Sequence, residues 1–188
     1  MGNLATTFIY GALALSEFLI TLFLQQVGGF RATLAGLSLL PTTILMLLLS
    51  STFGGLAGKF GPRLFMAVGP CVAGAGFLLM LRVGTPLDFW TQMLPGVLVF
   101  GLGLTATVAP LTAAVLGSVH KAQAGIGSAI NNAIARVAGL VAIAFAGLIV
   151  GPRLDVAGFH RAMLVSAVLL VLGGVTSALG IRDPPRKA

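Results

Sequence analysis

Ionisable and amide side chains lie inside long apolar runs of this sequence: Glu17, Asn131, Asn132 and Arg136. A carboxylate can bind and release a proton or contact a cation, and a guanidinium can hold an anion or orient polar neighbours. Placing either charge in hydrocarbon costs a few kcal/mol or more, depending on the scale used. Such residues therefore indicate either a functional pathway or a structural pair.

Arg136 lies near the middle of an apolar segment, 125–151, that is long enough to cross a bilayer. At about 1.5 Å per residue, it is roughly 16 Å from Gly125, about half of a hydrocarbon core roughly 30 Å thick. We therefore expect the guanidinium to face partner helices or a water-filled cavity. The segment's small residues and its polar residues share one face, so the rest of the molecule is expected to pack around it.

Glu17 belongs to a polar stripe in the first apolar segment. The spacing of 4, 7, 4 and 4 residues places these side chains within about a quarter-turn of one another on a helix. They are Thr6, Tyr10, Glu17, Thr21 and Gln25. Two interpretations stay open: Glu17 is a proton-titrating or cation-contacting group, or it forms a structural pair with a neighbouring helix, with Arg136 as one candidate.

The composition predicts an integral membrane protein. Only 8% of the 188 residues are charged and 57% are hydrophobic, against about 25% charged in soluble domains. The apolar runs predict an all-α membrane protein with a single domain over 1–188 and no soluble domain. The predicted spans are 4–27, 34–56, 64–83, 90–119, 125–150 and 161–181.

The net charge of +7 does not indicate nucleic-acid binding, because the eleven Lys and Arg are scattered at segment ends. They report topology instead. One side would hold Lys59, Arg63, Lys121, Arg182, Arg186 and Lys187, and the other Arg31, Arg82, Arg153 and Arg161. This excess predicts a multi-pass protein of the cell membrane with both termini in the cytoplasm.

The connections offer little chemistry of their own. Residues 54–63 predict a tight turn at the membrane surface, and 151–160 the longest loop, so both histidines are expected in loops. No spacing suits a metal, and we expect no cofactor. The fourth span is interrupted by glycine and proline, which is typical either of a helix lining a cavity with Thr105 as a hydrogen-bonding group or of kinks that only improve packing. The last span reads as a lipid-facing support helix.

GLGLTA at 101–106 matches the dinucleotide pattern only formally, since no strand precedes it and it lies inside a span. An intramembrane enzyme is also disfavoured, because the sequence lacks GxSxG and a pair of membrane carboxylates.

The segment 54–63, GGLAGKFGPR, resembles the loop signature of the major facilitator superfamily, G-x-L-A-[DG]-[RK]-x-G-x-[RK]. The chain as a whole is similar to the carboxy-terminal half of fourteen-span drug–proton antiporters. The signature residues include Gly54, Gly58, Lys59, Gly61 and Arg63. The ordered matches that extend the resemblance are YGAL (10–13), LQQV (24–27), AGLSLLP (35–41), GPRLFMAVGP (61–70) and NNAIARVAGL (131–140).

The resemblance implies a six-helix half-bundle of two inverted three-helix repeats that exports amphipathic compounds using protons. Family transporters have two halves, and only one is present here. The partners expected are therefore the lipid bilayer, a small amphipathic substrate, and a missing or separately encoded amino-terminal half or further copies of the chain. The acidic signature position is Gly58, so its charge-relay role does not carry over, and Glu17 stands where an apolar residue is expected.

Our leading hypothesis is half of a proton-coupled efflux transporter in which Glu17, Tyr10, Thr105, Asn131, Asn132 and Arg136 line the path. The alternative is a non-transporting membrane bundle, either self-associating or a truncated or degenerate gene product.

Overall fold

The chain is helical throughout most of 2–117 and 124–180, the residues that the computed structural model describes, and these ranges contain no strand. The helices are α1 Gly2–Gln26, α2 Ala32–Leu37, α3 Leu40–Phe60, α4 Pro62–Leu79, α5 Leu94–Gly117, α6 Ala124–Ala144, α7 Ala146–Val150 and α8 Val156–Gly180. A 3₁₀ turn, Met80–Arg82, extends α4, and a π-helical turn, Phe89–Met93, leads into α5.

Within the described ranges, six helical stretches are long and apolar enough to cross a membrane. They are Asn3–Gln26, Ala32–Phe60, Pro62–Arg82, Phe89–Val108, Gly125–Ala144 and Val156–Gly180. The predicted fold class, an all-α protein with six membrane-spanning helices, is confirmed. Several boundaries differ from those that the sequence predicts.

The second span is longer than expected, because α3 continues to Phe60 through most of the predicted turn. Its glycines stay helical, since backbone groups in a membrane environment are best satisfied inside a helix. Only Gly61 leaves the helical conformation, with φ of 92°, and Pro62 then starts α4. The turn predicted over 54–63 is therefore a single-residue junction.

The last span begins at Val156 rather than Arg161, which shortens the predicted 151–160 loop. Asp155 precedes the helix, and its Oδ1 accepts a hydrogen bond of 2.6 Å from the backbone N–H of Gly158. A carboxylate at this position satisfies an otherwise free N–H of the first turn. His160 was expected in a loop and instead lies in α8, with Nε2 2.9 Å from the carbonyl oxygen of Val83.

The spans pack side by side in the order α6, α1, α8, α4, α5, α3. Exchanging α1 with α5, α3 with α6, and α4 with α8 reproduces the same order read backwards. Three spans cross the membrane an odd number of times. The second set of three therefore starts on the opposite side of the membrane from the first. This is the half-bundle of two inverted three-helix repeats that the resemblance implies.

Small residues let the central helices approach closely. A methyl group added at Gly174 of α8 would lie 2.7 Å from the carbonyl oxygen of Ala67 in α4. One added at Gly74 of α4 would lie 3.4 Å from the carbonyl oxygen of Ala167 in α8. Adding 100 to the numbers of Ala67 and Gly74 gives Ala167 and Gly174. Each contact is therefore the counterpart of the other when the two repeats are exchanged.

Stacked aromatic rings complete the core. Phe23 of α1 stacks on Phe159 of α8 with ring centroids 4.2 Å apart, and Phe77 of α4 stacks on Phe100 of α5 at 4.7 Å. All four side chains are fully buried. The core therefore lies along α1, α8, α4 and α5.

Two expectations about the role of whole helices are wrong. The last span was expected to be a lipid-facing support, yet α8 packs between α1 and α4 and 44% of its most apolar stretch is buried. The segment carrying Arg136 was expected to be surrounded, yet α6 lies at one end of the row and only 17% of its stretch is buried. Gly and Ser residues along α8 let this helix pack in the core, whereas several large apolar side chains of α6 are exposed.

Candidate functional site

The seam between α1 and α6 brings together most of the predicted site residues. A methyl group at Gly11 would lie 3.6 Å from the carbonyl oxygen of Ala138, and one at Gly139 would lie 3.0 Å from Cβ of Ala14. These contacts match the small-residue pattern predicted for α6. They join the two helices along much of their length and place their polar residues at the edge of one seam.

One side-chain hydrogen bond crosses this seam. The Thr6 hydroxyl of α1 donates to Oδ1 of Asn131 in α6 at 2.8 Å. Thr6 is fully buried and Asn131 is half-buried. Asn131 is thus a predicted path residue with a defined partner on another helix.

Glu17, Asn132 and Arg136 are exposed on the surface of the chain, and Tyr10 is half-buried. At about 100° per residue, Glu17 lies about 180° around α1 from Phe8, and Arg136 about 200° around α6 from Ile134. Phe8 and Ile134 both line an apolar groove on one side of the seam. Glu17 and Arg136 therefore lie on the other side, which we name the polar side of the seam.

The apolar groove has a volume of about 600 Å³. It lies between α1, α6 and α8 and is lined by Thr7, Phe8, Gly11, Ala133, Ile134, Val137, Ala138, Val141, Ala142 and Leu169. Among the described lining residues, Thr7 alone has a hydroxyl, which donates to the carbonyl oxygen of Asn3 in its own helix at 2.9 Å. The groove therefore offers contact to hydrocarbon and no polar recognition.

Glu17 and Arg136 do not form the structural pair that was one interpretation of Glu17. The contacts of Thr6 with Asn131 and of Ala14 with Gly139 show that α1 and α6 run parallel. Arg136 then lies near the level of Tyr10, and Glu17 lies about 10 Å further along the helix axis. No ion pair joins these two described residues, so the carboxylate and the guanidinium occupy two levels of the polar side.

Thr105 lies apart from the seam. It is buried in α5, and its hydroxyl donates to the carbonyl oxygen of Gly101 in the same helix at 2.7 Å. This i−4 bond uses the hydroxyl's proton inside its own helix, as is common for threonine in membrane helices. The structure does not bring Thr105 to the polar side.

The residues of the loop signature lie at the junction of α3 and α4. Gly54, Gly58 and Lys59 are exposed on the last turns of α3, and Gly61 is the junction itself. Nε of Arg63 donates to the carbonyl oxygen of Ala178 in α8 at 2.8 Å. Arg63 thereby joins the start of α4 to the end of α8, a contact that the signature alone does not predict.

Three further polar contacts were not predicted as parts of a site. They are Thr6 with Asn131, His160 with Val83, and Arg161 with the carbonyl oxygens of Ile149 and Val150. The only sequence signal for Thr6 was its place in the polar stripe of the first segment. The last two contacts lie where α8 begins. This region was predicted to be a loop, so the contacts were not expected. The described residues contain no group of three or more side chains suited to hold a metal ion.

No protein-family model matches the chain. It is 26% identical over 147 residues to the multidrug resistance protein Stp of Mycobacterium tuberculosis, covering 78% of this chain and 26% of the relative. It is 26% identical over 176 residues to the methylenomycin A resistance protein of Streptomyces coelicolor, covering 92% of this chain and 36% of the relative. An uncharacterized MFS-type transporter, YhcA of Bacillus subtilis, is 29% identical over 132 residues, 69% of this chain and 24% of the relative.

At this modest identity, two of these relatives are named for resistance to drugs or an antibiotic, and the third is named as a transporter of the major facilitator type. The chain spans about a quarter to a third of the length of the curated relatives it matches. With its six membrane-capable helices, it is a multi-pass membrane protein that is similar to part of these relatives.

Proposed function

We propose that this chain forms one half of a secondary transporter that exports amphipathic, drug-like compounds in exchange for protons and acts together with a second half. The path runs along the polar side of the α1–α6 seam, in the cell membrane, with the α3–α4 junction facing the cytoplasm. The observation that carries this proposal is a carboxylate and a guanidinium, exposed at two levels of one side, in helices that are otherwise apolar. Such groups in a span mark substrate or proton pathways.

The uncovered helices support the need for a second half. Only 17% of the most apolar stretch is buried in each of α3 and α6, against 56% in α1. Because α3 and α6 are the end helices of the row, a second six-helix unit would cover surfaces that this chain leaves uncovered. The path then lies between the two units.

Arg136 is the first residue to test. Cells expressing the complete assembly are loaded with ethidium, and its efflux rate is measured by fluorescence. We expect Arg136→Ala to slow efflux by about tenfold or more while the amount of protein in the membrane stays normal. The matched control is Leu140→Ala, one turn further along α6 at a residue 70% exposed. Unchanged efflux in Arg136→Ala would remove Arg136 from the path.

Glu17 is tested separately, because it carries the proposed proton coupling. In vesicles containing the complete assembly, a pH-sensitive dye reports the proton flux that follows addition of ethidium. We expect Glu17→Gln to abolish this flux, since the amide cannot titrate, and Phe18→Leu at the neighbouring exposed residue to preserve it. A Glu17→Gln protein with wild-type proton flux would place the coupling on another residue.

A non-transporting, self-associating bundle is the second candidate, and the same uncovered α3 and α6 favour it. A second copy of the chain covers these helices equally well. This candidate predicts dimers by single-molecule photobleaching and no ethidium-linked proton flux, whichever second half is supplied.

A further inference from the structure

The Thr6–Asn131 hydrogen bond fixes more than the distance between two helices. The neighbouring contacts of the seam, Gly11 with Ala138 and Ala14 with Gly139, involve only backbone and methyl groups. Close packing there already holds α1 against α6. The bond at 2.8 Å adds a directional constraint on one side chain, the carboxamide of Asn131.

A carboxamide has two unlike poles. Its oxygen accepts hydrogen bonds and its NH₂ group donates two. Because Oδ1 of Asn131 accepts the Thr6 hydroxyl, the group left for another partner is the Nδ2 donor. No residue in the described ranges takes it, although Asn131 is half-buried. Arg136, five residues along α6 and about 140° around the helix from Asn131, presents donors only.

We infer that Thr6 is a positioning residue for Asn131, and that Asn131, at the α1–α6 seam, recognises hydrogen-bond acceptor oxygens, such as carbonyl oxygens, on an amphipathic substrate. The inference rests on the proposed function. Without the Thr6 hydroxyl, the amide can turn over and present its oxygen, and the donor is no longer defined. A purely structural role for Thr6 predicts a different result: weaker packing with no change in the chemistry that is recognised.

The test compares two probes that differ in one acceptor. They are a coumarin carrying an octyl chain and the matching 2H-chromene, in which a methylene group replaces the carbonyl. Binding to the full chain in lipid nanodiscs is measured by titration calorimetry. We expect the wild type to bind the coumarin about tenfold more tightly, as one hydrogen bond can provide. Thr6→Val should reduce this preference to within about twofold, and Thr6→Ser should restore it.

The controls separate positioning from stability. Thr7→Val removes a hydroxyl on the adjacent residue that bonds only to Asn3 in its own helix, and it should keep the preference. Asn131→Ala should lose the preference, and adding Thr6→Val to it should change nothing further, because Thr6 acts through Asn131. Melting temperatures of all variants show which of them remain folded.

Three results would overturn the inference: a Thr6→Val protein that keeps the preference, one that weakens binding of both probes equally, or effects of the two substitutions that add. Lack of binding by either probe, in a protein whose assembly still exports ethidium, would overturn the inference and leave the proposed function in place. Absence of both binding and export would overturn both.

Discussion

At the scale of single residues, the polar side chains fall into two groups. The first group completes the backbone: Gln92 Oε1 accepts from the N–H groups of Gly84 and Asp88, and Asp88 accepts from Trp90 and Thr91. The second group, with Glu17 and Arg136, makes no side-chain hydrogen bond or ion pair among the described residues. We expect the second group to take part in transport. We expect the first group to hold the backbone in place at the membrane surface.

Asp88 allows a pH prediction for the connection between α4 and α5. The Thr91 hydroxyl, which donates to its Oδ2 at 2.6 Å, lowers the pKa of this exposed carboxyl below its ordinary value of 3.8, and the backbone N–H groups of Trp90 and Thr91 add to the effect. A lowered pKa in the folded state means that the carboxylate's contribution is present above pH 3.8 and is lost as the pH falls through the folded value. The start of the π-helical turn should therefore loosen only in that acid range.

Trp90 is the single tryptophan of the sequence, and its backbone N–H donates a hydrogen bond to Oδ1 of Asp88. Its fluorescence therefore reports on this turn. We expect an emission change with a midpoint below 3.8 in the wild type and a flat profile in Asp88→Asn. Thr91→Val should move the midpoint upward, because the largest cause of the lowered pKa is removed. Asp155→Asn, at another helix start, should leave it unchanged. A midpoint that Thr91→Val does not move would contradict this account.

At the scale of helices, composition and apolar run length were sufficient to predict six spans, because membrane helices must satisfy their own backbone. Their neighbours were not predictable in this way. The paired glycines of α8 gave no information about neighbours in sequence, yet Gly173 and Gly174 lie against Ile9 and Ala67 of two different helices. Arg136 pointed to a central α6, yet a charged residue also fits a helix whose partner lies outside the chain.

In the candidate site, too, features within one helix were predictable and contacts between helices were not. Helical spacing correctly grouped Tyr10 and Glu17 on one face of α1, and Asn132 and Arg136 on one face of α6. Spacing within one helix carries no information about the register between two helices. The offset of about 10 Å between Glu17 and Arg136 follows from the register that the contacts of Gly11 and Gly139 set. Thr105 instead makes a local hydrogen bond within its own helix.

At the scale of the whole molecule, the two repeats meet along α4 and α8, and the exchange of repeats pairs Ala67 with Ala167 and Gly74 with Gly174. The residue types at these four positions agree between the repeats, but the distances between the packed helices differ. The backbone approaches more closely at Gly174 than at Gly74, where a methyl group would reach ordinary contact distance. Equivalent substitutions in the two repeats should therefore have unequal effects.

We expect Gly174→Ala to destabilise the protein by about 1–3 kcal/mol, because the added methyl group must displace the α4 backbone at Ala67. Gly74→Ala should be close to neutral, since contact with Ala167 is offset by a helix propensity gain of up to about 1 kcal/mol. Thermal unfolding in detergent, followed by Trp90 fluorescence, measures both against Gly55→Ala, whose methyl group meets nothing within 4 Å. Equal losses at Gly74 and Gly174 would mean that the repeats meet symmetrically. An unaffected Gly174→Ala would mean that α4 and α8 are further apart than the described contacts, and that the half-bundle is joined mainly through the α4–α5 and α1–α8 seams.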